Sequence, residues 1–227
     1  MKDGKASFTA EATAIIRAAE SAKPEGERIC YDPYAKYLVN PRYRDIGRPR
    51  RLTRFMMWLA MDRRRPGVTT EVVLRTRYID DYVRECVGDG IRQLVILGAG
   101  YDSRAYRIDG LKGKVRVFEV DHPATQKLKT ERLKEIPGSL PDHVAHVPID
   151  FHREKLDQRL SGSGYDKKLK TLFIWEGVTM YLTAEAVDET LAFVVDNSGQ
   201  GTSIIFNYLV EPVGDGPGDP EMSWWTV

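Results

Sequence analysis

From residue 91 onward, short apolar runs alternate with segments of helical pattern, and this alternation restricts the fold more than any other feature of the chain. The runs are Gln93–Leu97, Val115–Val120, Val144–Ile149, Leu172–Trp175 and Ser203–Tyr208, and helices are expected between them at Pro123–Ile136, Glu154–Leu160 and Ala184–Asp196. A strand that is apolar on both faces must be covered on both faces, and strands joined through helices run parallel. Residues 91–210 are therefore expected to form a mostly parallel, Rossmann-like α/β core. Residues 1–90 have a different texture. The pattern predicts helices at Thr9–Lys23, at Tyr34–Val39 after the Asp32-Pro33 start, at Leu52–Met61 and at Thr69–Val87. In the last of these Val72, Ile79, Val83 and Cys86 recur at helical spacing. These segments read as an N-terminal helical cap. Residues 211–227 form a Gly/Pro-rich C-terminal segment that ends near a Trp224-Trp225 pair, and the chain contains no internal repeat.

Charge and cysteine content exclude several classes. Lysine plus arginine (34) balances aspartate plus glutamate (33), so no global field draws the chain to nucleic acid or to a membrane. Cys30 and Cys86 form no C-x-x-C pair, which argues against a disulfide framework or thiolate zinc site and fits a reducing compartment. No apolar run reaches the ~20 residues needed to cross a bilayer. A cytoplasmic location is expected.

The chemistry concentrates where the strands end. Leu94 to Leu97 run into Gly98-Ala99-Gly100-Tyr101-Asp102, a strand feeding a glycine turn, where small residues allow close approach to the backbone. The next strand ends Phe118-Glu119-Val120-Asp121. An acid about 20 positions beyond the glycines, on the neighbouring strand, is placed to accept hydrogen bonds from ribose hydroxyls. Asp121 could equally cap the helix that opens at Pro123. A dinucleotide site would want a third glycine and a pyrophosphate at a helix N-terminus. Here Ser103 takes that position and Asp102 puts a negative charge beside it, which suits a ligand bearing ammonium and sulfonium groups, such as S-adenosyl-L-methionine (AdoMet). The third strand closes on Asp150-Phe151, an acid and an aromatic suited to adenine, and the fourth on Glu176-Gly177.

The stretches Thr76 to Asp81, Leu94 to Ile108, Phe118 to Pro123 and Trp175 to Leu182, in that order, resemble the leucine carboxyl methyltransferase family over about residues 30–210. Tyr31 to Val39 resembles an early motif of the same family. The resemblance implies a class I AdoMet-dependent O-methyltransferase fold. It implies that Arg77 pairs with the methionine carboxylate, that Gly98 and Gly100 line the methionyl part, and that Asp121 holds the ribose. It further implies that Asp150 and Phe151 meet the adenine and that Glu176 faces the methionine amino group. Ala99, Asp102 and Glu119, at the same strand ends, are taken as further cofactor-binding candidates. Members of the family methylate protein-phosphatase C-termini or polyketides, and the expected acceptor here is a carboxylate or hydroxyl of a small molecule rather than a protein. Tyr181 is the acceptor-side candidate. Family members continue beyond the fifth strand with two further strands, so the acceptor side of this chain reads as shortened or as built on a smaller sheet.

Other features are read as structural. His143, His146 and His152 lie on or beside one strand and are not expected to bind metal. Nine arginines between Arg42 and Arg65 read as a solvated face, with an acidic acceptor as the alternative. Two further functions remain open at this level: a nicotinamide-dependent oxidoreductase, disfavoured by Asp102 and Ser103, and a non-catalytic AdoMet-binding module.

Overall fold

A computed structural model of the chain describes residues 8–41, 67–136, 140–150 and 154–209. The expected Leu52–Met61 helix, the arginine-rich segment, His152, Phe151 and the C-terminal segment from 210 lie outside the described residues.

Five strands, β1 (Gln93–Leu97), β2 (Arg116–Asp121), β3 (Val144–Pro148), β4 (Thr171–Trp175) and β5 (Ser203–Phe206), form one all-parallel sheet in the order β3-β2-β1-β4-β5. The chain moves outward from β1 to β3, then crosses back to place β4 on the other side of β1. That reversal makes a crevice between the carboxyl ends of β1 and β4, where ligands of open α/β sheets bind.

Period-2 alternation sorts each strand's side chains between two cores. Leu94, Ile96, Val117, Leu172, Ile174 and Ile205 face one side. They pack against Ile79, Val83 and Cys86 of α3 (Val68–Gly88) and Ala105 of the short α4 (Arg104–Arg107). Val95, Leu97, Phe118, Val120, Val147, Phe173 and Trp175 face the other, against Leu160 of α6 (Leu156–Gly162) and Val187, Leu191 and Val194 of α7 (Ala184–Asp196). Between these helices in sequence lies α5 (Pro123–Leu133), which links β2 to β3 and buries Thr125, Gln126, Lys129, Arg132 and Leu133, a largely polar face.

The cap contributes α1 (Phe8–Ser21) and the single-turn α2 (Ala35–Leu38). Asp32 precedes α2, its carboxylate accepting the N–H groups of Tyr34 and Ala35 at 3.1 and 3.0 Å, but the helix begins at Ala35 with Tyr34 at its N-cap and not at Pro33 as expected. The turn is shorter than the predicted Tyr34–Val39 helix.

Candidate functional site

The glycine turn after β1 is the floor of the crevice. Gly98 (φ +69°) and Gly100 (φ +45°) both adopt left-handed backbone, which a side chain makes costly. A Cβ on Gly98 would lie 2.5 Å from Val178 Cγ2, and one on Gly100 would lie 3.1 Å from the Ala10 methyl. The two glycines thus admit the loop after β4 on one side and α1 on the other. Ala99 is buried and its N–H donates to the Val120 carbonyl at 2.9 Å, so it offers the site only backbone.

Asp121 turns toward this floor. Its carboxylate accepts the Gly100 N–H and, at 2.6 Å, the His122 N–H. Capping of α5 falls instead to His122, whose Nδ1 accepts the Ala124 N–H at 3.2 Å. Burial raises the Asp121 carboxyl above its ordinary value, and the two backbone donors partly offset that rise. Asp150 follows β3 at the same edge, where the Ile149 N–H still donates to the Asp121 carbonyl at 2.9 Å.

Glu176, at the end of β4, is held between two guanidinium groups, Arg75 Nε at 2.6 Å and Arg104 Nη1 at 2.7 Å. Burial alone would raise its proton affinity, but the charges of Arg104 and Arg75 outweigh it and hold the carboxyl well below the usual carboxylate range. Arg75 also binds Glu71 at 2.5 Å. Burial pushes the Glu71 carboxyl up to about 7, with Arg75 opposing and Glu176 reinforcing the rise. Arg104 continues the array to Asp102 (2.5 Å) and Asp80 (2.8 Å), Arg107 joins Asp80 (2.5 Å), and Asp32 receives Arg17 at 2.9 Å. Arg17 also donates to the Tyr101 carbonyl at 2.6 Å, which ties the cap to the glycine turn. Asp102 is therefore compensated by Arg104, and its other oxygen accepts the Arg104 N–H at 2.7 Å.

Two expected site residues lie elsewhere. Arg77 has a side chain 57% exposed, bound to Asp81 at 2.6 Å and donating to the Ile29 carbonyl at 3.3 Å. Arg75, two residues earlier and 13% exposed, is the α3 arginine that reaches the strand ends. Glu119 is fully buried one pleat below Asp121, paired with Lys129 (2.8 Å) and accepting the Tyr106 hydroxyl (2.9 Å), so it belongs to the packing of α4 and α5 on β2. Tyr181 sits in the 3₁₀ turn Thr179–Tyr181, 65% exposed, with its hydroxyl 3.4 Å from Thr9 Oγ1. Arg75, Arg104 and Val178 were not anticipated. The Arg75–Glu71 spacing of four residues was a visible sign, though Arg77–Asp81 carries the same one.

Among the described residues, no three His, Cys, Asp or Glu side chains converge as a metal centre would require, and no helix is long and apolar enough to cross a membrane. A depression of about 300 Å³ lined by Asp157, Tyr165, Lys168 and Asn197 lies at the amino ends of β4 and β5, the opposite edge of the sheet, and gathers none of these groups.

A parallel sheet with a glycine turn, a carboxylate on the adjacent strand and an ionic array at its switch point defines a Rossmann-like, class I methyltransferase architecture. Two solved structures share it: a candidate methyltransferase from Thermobifida fusca (TM-score 0.55, 16% identity, covering 94% of this chain and 70% of that one) and a protein of a family of unknown function from Streptomyces avermitilis (TM-score 0.55, 14% identity, 92% and 71%). Residues 10–195 match the leucine carboxyl methyltransferase family, and the chain belongs to it. A protein of Streptomyces coelicolor, named a candidate S-adenosyl-L-methionine-dependent methyltransferase, is 36% identical over 143 residues, which are 63% of this chain and 50% of that protein. A protein of Mycobacterium avium with the same designation is 33% identical over 214 residues, 92% of this chain and 69% of its own length. The chain spans 50% and 40% of the Streptomyces coelicolor relative and of a similar Bacillus subtilis protein.

Proposed function

We propose that this chain is the AdoMet-binding part of a methyltransferase that transfers a methyl group to a carboxylate or hydroxyl oxygen of a small molecule. The observation that carries the reading is the convergence, at one switch point, of Asp121 against the glycine turn and of the Arg75–Glu176 pair across the crevice. The donor set fits AdoMet. Asp121 offers carboxylate oxygens to a ribose diol, Arg75 a guanidinium to the methionine carboxylate, and Glu176 a carboxylate to its ammonium. Asp150, beside β2, would meet the adenine amino group together with Phe151. A pyrophosphate fits poorly, because Asp102 already accepts the Arg104 N–H, the donor that would open α4 toward it.

AdoMet supplies an electrophilic methyl group on a sulfonium. The chain's own groups bind and orient. Asp121 would share its carboxylate oxygens with the ribose hydroxyls, and Glu176 and Arg75 would hold the two ends of the amino-acid part. Val178 and Ala10 cover the turn and exclude water. A carboxylate acceptor is anionic at neutral pH and needs no general base. Alignment and proximity then lower the barrier, by roughly 7–11 kcal/mol in favourable cases. Tyr181, exposed between the β4 loop and α1, is the residue proposed to border the acceptor.

Calorimetric titration with AdoMet, its demethylated product and NAD tests the reading. The first two should bind and NAD should not; tighter binding of NAD than of AdoMet overturns it. Mass-spectrometric detection of methyl esters or ethers from a panel of carboxylates and phenols tests the oxygen acceptor separately.

A further inference from the structure

Glu176 and Val178 belong to a loop that must keep its place for the site to exist, and nothing in β4 itself fixes it beyond Trp175. Two hydrogen bonds do so from outside. The Gly177 N–H donates to Asn207 Oδ1 at 2.7 Å, and the Thr179 hydroxyl donates to the Asn207 carbonyl at 2.5 Å. Asn207 directly follows β5 and is 6% exposed; Thr179 is buried as well. The bonded groups bracket Val178, the side chain that closes on Gly98, and immediately follow Glu176, which holds Arg75 and Arg104.

We propose that Asn207 is a positioning residue for the cofactor site, clamping the Glu176–Thr179 loop onto the end of β5 so that Glu176 and Val178 are held in register with the glycine turn. The role rests on the AdoMet reading above. Asn207 touches none of the expected ligand groups and acts through the loop. The clamp works through one side-chain oxygen and one backbone oxygen. Asn207 Nδ2 is buried with no hydrogen-bond partner among the described residues, so the restraint on this loop runs through the two oxygens. A buried residue that accepts from two loop donors removes alternatives for that loop, because breaking the bonds leaves a half-buried amide and a buried hydroxyl unmet.

Two pairs of variants test this. Asn207→Leu keeps the branched outline of the side chain and removes the oxygen. Thr179→Val keeps the shape and removes the hydroxyl, whereas Thr179→Ser keeps the hydroxyl. Hydrogen exchange of the Gly177 amide, measured without ligand, reads the clamp itself, and calorimetric AdoMet titration reads its consequence. In Asn207→Leu the Gly177 amide should exchange at least tenfold faster than in the parent and AdoMet affinity should fall about tenfold. Thr179→Val should follow in the same direction, and Thr179→Ser should match the parent in both measurements. Rescue by serine is an outcome that simple loss of packing at this position does not produce. Unchanged Gly177 exchange in Asn207→Leu, or loosened exchange with parental AdoMet affinity, overturns the proposal. A serine variant as impaired as the valine one does so too. If Asn207→Leu does not fold, the Thr179 pair decides alone. If the parent itself does not bind AdoMet, the function proposed above fails, and the exchange comparison still decides whether Asn207 holds the loop.

Discussion

Replacing Gly98 by alanine separates two costs that the glycine turn conceals. The first is conformational: at φ +69° an L-residue pays about 1–2 kcal/mol for left-handed backbone. The second is steric: the new methyl would stand 2.5 Å from Val178 Cγ2, far inside van der Waals contact, and forced overpacking of this kind costs about 1–3 kcal/mol. Gly98→Ala should therefore lose about 2–5 kcal/mol. Val178→Ala removes the colliding methyl and leaves the Val178 Cβ position 3.7 Å away, an ordinary contact. The double variant should recover the steric part and keep the conformational part, giving a coupling of about 1–3 kcal/mol between the two positions. Urea unfolding of the four proteins measures both quantities directly. A Gly98→Ala loss that Val178→Ala does nothing to relieve would mean that the β4 loop does not close on the turn.

The remaining predictions probe charge. Arg75→Ala should weaken AdoMet by about 1.5–3 kcal/mol, the scale of hydrogen bonds to charged groups, while Arg77→Ala leaves binding unchanged; calorimetry of both variants compares them, and equal losses would reverse the assignment. Asp121→Ala should weaken AdoMet by a similar amount and also lower the ligand-free thermal midpoint, because the Gly100 and His122 N–H groups lose their acceptor; an unchanged midpoint would contradict those bonds. Glu71 binds its proton more tightly folded (about 7) than in an ordinary environment (4.5), so its contribution to stability is full below pH 4.5 and is lost as pH rises through 7. Glu71→Gln should therefore gain on the parent by roughly 3 kcal/mol between pH 4.5 and 8, read by urea unfolding at both values; a pH-independent difference would refute the raised value.

Strand positions were legible because the sheet is buried on both faces, so β1 reads as an unbroken apolar run whose limits, Gln93 and Leu97, match the observed strand. The acids that end β2 and β4 were legible for a related reason: a charge directly after such a run must leave the core, and the carboxyl end is where it emerges. Glu119 broke that logic. It lies within β2, and its burial depends on Lys129 of α5, which sequence reading leaves in solvent with every other lysine. Much of α5 is of this kind, since four of the residues it buries, Thr125, Gln126, Lys129 and Arg132, are polar. Arg104, Asp80 and Arg107 likewise look like surface charge one at a time. Only the fold brings them within 2.8 Å of one another's partners.

Arg75 and Arg77 show where periodicity stops. At 3.6 residues per turn, the buried stripe of α3 through Val72, Thr76, Ile79 and Val83 has Arg75 roughly 70° to one side and Arg77 roughly 130° to the other. Each has an acid four residues away, Glu71 before Arg75 and Asp81 after Arg77, so helix energetics treats them almost alike. What distinguishes them is which flank of the helix faces the crevice once α3 lies across β1 and β4. That choice is made by the reversal that sets β4 beside β1, not by any residue of α3. With the sheet in place, the flank carrying Glu71 and Arg75 meets Glu176, and the flank carrying Arg77 and Asp81 meets the Ile29 backbone and solvent. A helix thus states which residues are buried well before it states which of its two polar borders belongs to the site, and the second question is answered only by tertiary topology.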